Sequence, residues 1–135
     1  MIREAIASDV PRIRALMQAV PGFWQPWWPK DVLEKALVSA NGLAFVMEDK
    51  PHILGFACAH DLGFRAYLSE LVVANQAQHR GIGTLLVKAI EAGLRDRNQR
   101  VLIADVWRDA ERFYRSLGWE PPDAVLLRQR LDPQD

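Results

Sequence analysis

The feature that most constrains this chain is a strand-like run followed by a loop with two glycines and a helical pattern. The run Leu71, Val72 and Val73 is apolar, and the loop carries Gly81 and Gly83. Beyond the loop, apolar residues recur at the spacing of one helix face, namely Ile82, Leu85, Leu86, Ala89, Ile90 and Leu94. A strand, a glycine loop and a helix start in this order predict a binding site for an anion.

The chemistry of a helix start explains this prediction. Its first N–H groups have no partner within the helix and point beyond its end, where the helix dipole also favours negative charge. Because glycine has no Cβ, Gly81 and Gly83 allow a phosphate to approach the backbone closely. Arg80 adds a permanent positive charge beside the loop.

Two common types of nucleotide site fit the loop poorly. A P-loop requires a lysine followed by serine or threonine after its last glycine, whereas Gly83 is followed by Thr84 and Leu85. A dinucleotide-binding loop requires three glycines at a different spacing, and only two are present. Both comparisons disfavour a nucleotide-binding domain.

The loop instead resembles the acetyl-CoA signature of the GNAT family of N-acetyltransferases. That signature reads Gln/Arg-x-x-Gly-x-Gly/Ala, and Gln78, Gly81 and Gly83 match it. The resemblance implies that the loop and the following helix start hold the pyrophosphate of acetyl-CoA. The implied cofactor-binding residues of the loop are Gln78, His79, Arg80, Gly81, Ile82, Gly83 and Thr84.

A second segment resembles the late helix of the same family, whose pattern is Ala-x-x-Phe-Tyr-x-x-x-Gly-Phe. The matching positions are Ala110, Phe113, Tyr114, Gly118 and Trp119. The family usually has an asparagine before this helix, and Trp107 stands in that region here. This departure puts one contact to the pantetheine arm of CoA in doubt, but not the pyrophosphate loop.

Composition restricts the class of protein. With 135 residues, half of them hydrophobic, the chain fits a single domain, 1–135. No apolar stretch reaches the length of about 20 residues that a membrane span needs, and the N-terminus lacks a signal-peptide pattern. The 17 basic and 17 acidic residues balance, which argues against nucleic acid as a partner. A single cysteine, Cys58, allows no disulfide within the chain and fits a reducing cytoplasm.

The pattern along the chain predicts an α/β fold with a mixed (α+β) sheet in the order β-αα-βββ-α-β-α-β. The resemblance implies an antiparallel meander that leads into a β-α-β unit. The expected strands are 2–5, 43–48, 53–60, 66–73, 100–106 and 124–131, and the expected helices begin near Asp9, Asp31, Ile82 and Asp109. The resemblance therefore covers nearly the whole chain.

Acetyl transfer to an amine has three chemical needs, and the resemblance assigns residues to two of them. The thioester carbonyl must be polarised, which the family does with backbone N–H groups freed by a bulge in the strand before the loop. The matching residues are Leu71 and Val73. The departing thiolate needs a donor, and Tyr114 matches the family tyrosine that protonates or hydrogen-bonds the sulfur of CoA.

The third need is a group that takes the proton of the amine. Asp105, near the end of the predicted strand 100–106, stands slightly ahead of Glu70, which lies within the strand 66–73. A bulge in that strand can turn Glu70 to either face, so its orientation stays open. His60 is a weaker third candidate. The three histidines have no metal-ligand spacing, so no metal site is predicted.

An aromatic cluster lies between the first two predicted helices, where the family places the wall of its acceptor site. Its indoles are Trp24, Trp27 and Trp28. Exposed aromatic residues can bind a hydrophobic or cationic amine or a second copy of the chain in a homodimer. The alternative is a segment that packs on the core.

The resemblance implies an acetyl-CoA-dependent N-acetyltransferase that transfers the acetyl group directly to a primary amine in a ternary complex. A small-molecule amine and a protein N-terminus both remain open as acceptors. The alternative is a non-catalytic acyl-CoA-binding regulatory domain of the same fold. Tyr114 argues against that alternative, and the missing asparagine favours it.

Overall fold

The computed structural model describes residues 1–133 of the chain. These residues form two compact units, Met1–Ala104 and a second that begins at Asp105. The expected single domain, 1–135, includes two terminal residues that lie outside the described part.

The first unit contains a five-stranded sheet and three helices. Its strands are β1 (Ile2–Glu4), β2 (Ala44–Asp49), β3 (His52–Asp61), β4 (Ala66–Val73) and β5 (Leu102–Ile103), and its α-helices are α1 (Val10–Ala19), α2 (Val32–Ala40) and α3 (Ile82–Asp96). The strands lie in chain order across the sheet. Neighbours from β1 to β4 are antiparallel, whereas β4 and β5 are parallel and joined through α3. The predicted mixed sheet and α/β class are confirmed.

The central strand β3 carries the core between two layers of helices. Phe56, Ala57, Cys58 and Ala59 are fully buried. A Cβ added to Gly55 would lie 2.9 Å from both Ile82 and Leu86 of α3. This glycine therefore lets the first turns of α3 pack directly on the sheet, which fixes the position of the helix start.

Charged groups fasten the N-terminal segment to the edge of the sheet. Asp9 is 1% exposed and accepts two hydrogen bonds of 2.8 Å from the guanidinium of Arg3 and one of 2.9 Å from Arg12. Both arginines also donate to the carboxylate of Glu48 on β2. The backbone N–H of Ile6 donates to Asp9 as well, so this carboxylate holds the turn that precedes α1 and closes an ion network.

The second unit contains a 3₁₀ turn, Arg108–Ala110, and the short helix α4, Glu111–Ser116. The helix ends where Gly118 adopts a positive φ of 92°, as the late-helix pattern predicts.

Two sequence expectations about strands are corrected by the structure. Residues 124–131 form no strand, and Val125, Leu126, Leu127 and Leu131 are 72% to 91% exposed. Strand propensity reflects packing against neighbouring strands, so an apolar run without a pairing partner does not become a strand by itself.

The expected strand 100–106 shortens to Leu102–Ile103. The side-chain Oε1 of Gln99 accepts the backbone N–H groups of Arg100 and Val101, at 2.9 Å and 3.2 Å. This local turn occupies the N–H groups of Arg100 and Val101. The carbonyl of Val101 accepts the N–H of Ala66 on β4 at 2.8 Å, and the paired strand itself is limited to Leu102–Ile103.

Candidate functional site

A β-bulge interrupts β4 in front of the glycine loop. Leu68 pairs with Ala59 of β3 and Glu70 pairs with Cys58, so Ser69 is an extra residue in β4 that has no paired residue on β3. The bulge expected in this strand is therefore present, and Ser69 forms it.

The backbone of β4 beyond the bulge presents N–H groups on one side. The N–H of Ala74 donates to the carbonyl of Leu54 at 2.8 Å. Antiparallel pairs alternate between those that exchange hydrogen bonds and those that do not, so the backbone groups of Leu71 and Val73 point away from β3. On that side β5 pairs only with Ala66 and Tyr67. No strand of the described residues therefore covers β4 from Leu68 onward at this edge.

The glycine loop joins the end of β4 to the start of α3 through two left-handed residues. His79 has a φ of 66° and Gly81 a φ of 80°. The N–H of Leu85 donates to the carbonyl of Gly81 at 3.1 Å as the first bond of the helix. The N–H groups of Ile82, Gly83 and Thr84 precede this bond and face the helix end, the arrangement that binds anions.

Two side chains of the loop hydrogen-bond within it. The amide of Gln78 donates to the carbonyl of Val73 at 3.3 Å and to the side chain of Asn75 at 3.2 Å. The guanidinium of Arg80 donates to the carbonyl of Gln76 at 3.4 Å. Gln78 thus fastens the loop to the end of β4, and both side chains remain exposed at the loop surface.

The bulge decides which face of the sheet Glu70 occupies. Directly paired residues share a face, so Glu70 lies with Cys58, whose Sγ is 3.8 Å from the carbonyl of Ala36 on α2. Leu71 and Val73 pair with Ala57 and with Gly55, which faces α3, so their side chains lie on the opposite face. Glu70 is half-buried on the side of the sheet that α2 covers.

A hydrogen-bonded chain of three polar side chains lies on the same face, and sequence reasoning identified only its middle member. His60 Nδ1 is 2.9 Å from the hydroxyl of Ser39, and its Nε2 is 2.8 Å from the hydroxyl of Ser69. Burial lowers the pKa of His60 below its usual value, which favours the neutral ring. No local sequence signal links these residues, because they come from α2, β3 and the bulge of β4.

Cys58 is buried next to this chain. Burial raises the pKa of its thiol to about 12. The thiol therefore stays protonated at neutral pH and is a structural side chain, as its apolar sequence context indicates.

In the second unit, Tyr114 is 9% exposed and packs edge-on against the rings of Phe113 and Trp119, with ring centroids 5.1 Å and 5.2 Å away. Burial, and then the negative charge of Asp105, raise the pKa of the Tyr114 hydroxyl to about 12. Asp105 therefore lies close enough to Tyr114 for its charge to act on the hydroxyl. Asp105 itself is exposed and lines an open pocket of about 570 Å³ with Trp107 and Asp109.

The tryptophans of the loop between α1 and α2 differ in their surroundings. Trp24 and Trp28 are half-buried and meet edge-on at 5.2 Å, and the guanidinium of Arg14 lies 5.3 Å above the ring of Trp24. Trp27 is 58% exposed. Two of the three indoles are thus partly packed, and Trp27 presents an aromatic surface to solvent.

Within residues 1–133, no cluster of metal-ligating side chains is found, and no helix is long and apolar enough to cross a membrane.

Comparison with known proteins gives a family and a fold. The sequence profile of the acetyltransferase (GNAT) family matches residues 11–119. Among curated protein sequences, none matches this chain.

Several solved structures share the fold at low sequence identity. A transcriptional regulator from Bacillus halodurans C-125 is 20% identical with a TM-score of 0.76, covering 96% of this chain and 99% of that one. The aminoglycoside acetyltransferase meta-AAC0020 from an uncultured soil metagenomic sample is 21% identical with a TM-score of 0.75, covering 98% and 96%. The aminoglycoside N-acetyltransferase AAC(6')-Iy, in complex with CoA, is 18% identical with a TM-score of 0.76, covering 98% and 95%. The family match over most of the chain, on a fold with these neighbours, shows that this chain belongs to the GNAT acetyltransferase family.

Proposed function

We propose that this protein is an N-acetyltransferase that transfers the acetyl group of acetyl-CoA directly to a primary amine. The observation that carries the proposal is the edge of β4. There the backbone groups of Leu71 and Val73 point away from β3, directly ahead of a loop that ends in a helix N-terminus. A carbonyl site and a phosphate site on one continuous segment suit a thioester attached to a pyrophosphate-bearing carrier.

The residues of the loop fit the pyrophosphate of acetyl-CoA. The left-handed conformation of Gly81 turns the chain so that the N–H groups of Ile82, Gly83 and Thr84 lie ahead of the first helical hydrogen bond. Arg80 supplies a cation whose guanidinium makes a long hydrogen bond of 3.4 Å to the carbonyl of Gln76. When bound, acetyl-CoA supplies an activated acyl group, and the structural neighbour AAC(6')-Iy is itself a CoA complex.

In the proposed reaction, the N–H groups of Leu71 and Val73 stabilise the negative charge that develops on the carbonyl oxygen. Tyr114 donates a hydrogen bond to the departing sulfur. Its pKa of about 12 lies well above the value of about 8.5 for a free thiol, so a hydrogen bond is favoured over complete proton transfer.

The proton of the amine goes to a carboxylate, and the bulge now favours Glu70 over Asp105. Glu70 is half-buried on the face of the sheet that α2 covers, and α2 follows the aromatic loop, the segment between α1 and α2 that carries Trp24, Trp27 and Trp28. Asp105 is exposed, and its charge acts on Tyr114. A carboxylate next to Tyr114 keeps that hydroxyl protonated, which suits a donor, and Glu70 is then left for the base.

The acceptor we propose is a small-molecule amine, because two structural neighbours are aminoglycoside acetyltransferases. The exposed ring of Trp27 offers an aromatic surface for a cationic or apolar part of that amine. A protein N-terminus is the alternative acceptor, and a contact between two copies of the chain is the alternative role of the aromatic loop. We further propose that both compact units act as one cytoplasmic domain.

A panel of amines tests the proposal. Acetyl-CoA is offered with tobramycin, spermidine, tryptamine and a peptide with a free N-terminus, and thiol release is measured. We expect release with at least one amine and a product that carries one added acetyl group. If acetyl-CoA binds but no amine of the panel releases thiol, the result contradicts this activity and favours the non-catalytic acyl-CoA-binding domain. The departure at Trp107 is the feature that favours that alternative.

A further inference from the structure

We propose that Ser39, His60 and Ser69 form a latch that holds the bulge of β4, and that Ser69 and His60 are thereby positioning residues for Glu70. The inference rests on the proposed acetyl transfer for its catalytic consequence. Its structural part, that these side chains keep the bulge in place, stands on the geometry alone.

The bulge determines the orientation of Glu70. In a regular strand, residues two positions apart share a face, so Glu70 would point to the side of Leu68. Leu68 is 3% exposed and pairs with Ala59, on the face of the sheet that α3 covers. The extra residue Ser69 reverses the alternation and carries Glu70 to the opposite face with Cys58. Loss of the bulge would therefore turn this carboxylate into the packed core under α3.

The side chain of Ser69 ties the bulge to β3 at two points. Its hydroxyl lies 3.2 Å from the carbonyl of Cys58 and 2.8 Å from Nε2 of His60. A hydroxyl has one hydrogen to donate, and the carbonyl can only accept. Ser69 therefore donates to Cys58 and accepts from His60, which places the ring hydrogen of His60 on Nε2.

This assignment fixes the remaining hydrogen of the latch. With a hydrogen on Nε2, the neutral ring of His60 accepts at Nδ1, and the hydroxyl of Ser39 donates to it over 2.9 Å. Each donor in the series from Ser39 to Ser69 then has an acceptor, and Nε2 of His60 also lies 3.7 Å from Sγ of Cys58. The lowered pKa of His60 agrees with a neutral ring in this position.

The latch joins three elements that the proposed site needs in register. Ser39 lies in the last turn of α2, His60 lies at the end of β3, and Ser69 immediately precedes Glu70. A small misplacement of a reacting group can reduce a rate by about 100-fold, so a latch outside the reacting atoms can still control turnover.

The test uses the full chain with three variants and a matched control. Ser69→Ala removes both bonds to β3, Ser69→Thr keeps the hydroxyl, and His60→Leu removes the ring donor. Ser8→Ala removes the hydroxyl of an exposed serine outside the latch. Hydrogen exchange of the β4 amides is measured for each variant, and kcat and KM are measured with acetyl-CoA and the best amine of the panel.

We expect Ser69→Ala and His60→Leu to speed amide exchange in β4 while exchange in β2 and α3 stays unchanged. We expect kcat to fall roughly 10- to 100-fold with little change in the KM for acetyl-CoA. Ser69→Thr should retain most of the activity. When combined with Glu70→Gln, the loss from Ser69→Ala should largely disappear, because a residue that acts through Glu70 has no further effect once Glu70 is gone.

Two outcomes would overturn the inference. Unchanged exchange in Ser69→Ala would show that the bulge does not depend on the latch. Additive losses in the double variant would show that Ser69 does not act through Glu70. If exchange responds as expected but the wild-type chain acetylates no amine, the latch stands and the proposed function fails.

Discussion

At the scale of single residues, the environment of Tyr114 decides what its hydroxyl can do. Its ring is packed between Phe113 and Trp119, and burial together with the charge of Asp105 raises its pKa to about 12. Such a hydroxyl stays protonated at neutral pH. It can therefore donate a hydrogen bond to a developing thiolate.

Tyr114→Phe should lower kcat by about 100-fold and leave the KM for acetyl-CoA nearly unchanged. The change removes a hydrogen bond that matters mainly as the thiolate forms, and it preserves the ring contacts. Steady-state kinetics of the variant check this, with Tyr67→Phe as the control because it removes the only other tyrosine hydroxyl. Equal rates for Tyr114→Phe and wild type would take this residue out of the mechanism.

A second pair of variants distinguishes the roles of the carboxylates of Glu70 and Asp105. Glu70→Gln should depress turnover at neutral pH and flatten the acid limb of the rate–pH profile, because an amide cannot accept the proton of the amine. Asp105→Asn should have the smaller effect, through Tyr114. A larger loss in Asp105→Asn would restore the order that the sequence alone suggests. If neither variant matters, the proton leaves through water.

Sequence reasoning reached part of this site. Leu71, Val73 and the glycine loop are predicted from a motif within one continuous segment. The strand register turns the backbone groups of Leu71 and Val73 away from β3, and their role in acetyl transfer stays a prediction. The orientation of Glu70 could not be predicted, because it depends on a single extra residue in the pairing of two strands. The contacts of Ser39 and Ser69 with His60 could not be predicted, because the three residues lie on different elements that come together only in the folded chain.

At the scale of elements, the ion network around Asp9 shows what fastens the N-terminal segment. A carboxylate that is 1% exposed is compensated by two guanidinium groups and a backbone N–H. The sequence predicts a helix start near Asp9, and α1 begins at Val10, but the side chain of Asp9 bonds to Ile6 and the two arginines instead of capping the helix. The partner Glu48 lies on another element, so local capping rules gave no sign of the network.

Asp9→Ala should lower the free energy of unfolding by about 2 kcal/mol, because it removes charge-assisted hydrogen bonds to Arg3 and Arg12 and leaves the N–H of Ile6 without this acceptor. Urea unfolding measures the change. Asp31→Ala is the matched control, since Asp31 is exposed and its contact to Lys35 is 3.9 Å long, and it should cost less than about 1 kcal/mol. Equal costs for the two variants would contradict the structural role of the network.

The same network sets the response to acid. Hydrogen bonds from Arg3 and Arg12 lower the pKa of Asp9 and of Glu48 to about 2. Because both values lie below those of the unfolded chain, near 4, the stabilisation is present above about pH 4 and is lost as pH falls toward 2. The melting temperature should therefore fall between pH 5 and pH 2, and it should fall less steeply in Asp9→Ala.

The segment 124–131 marks the limit of prediction at this scale. Its apolar residues have the composition of a strand, but Val125, Leu126, Leu127 and Leu131 are 72% to 91% exposed and do not belong to a packed sheet. Pattern reading detects the preference of a segment, whereas strand formation requires a neighbour in space. By contrast β4, which has β3 beside it, was predicted with its observed bounds, Ala66–Val73.

At the scale of the whole molecule, ligand binding should be coupled to folding. The loop from Ala74 to Gly81 is formed by left-handed residues and a helix start that exist only in the folded chain. A ligand that binds these backbone groups therefore binds the native state and not the unfolded one. Its binding free energy adds to the stability of the protein.

Acetyl-CoA at about 100 times its Kd should raise the free energy of unfolding by about 2.7 kcal/mol and the melting temperature by roughly 10 °C. Gly83→Glu should abolish this rise, because its carboxylate would stand at the helix start and repel the pyrophosphate. Ala92→Glu adds the same charge at an exposed position further along α3 and should leave the rise intact. Scanning calorimetry with and without acetyl-CoA compares the three proteins. A Gly83→Glu protein that folds and still gains the full rise would place the pyrophosphate away from this loop, and a wild-type protein without any rise would contradict acetyl-CoA as the co-substrate.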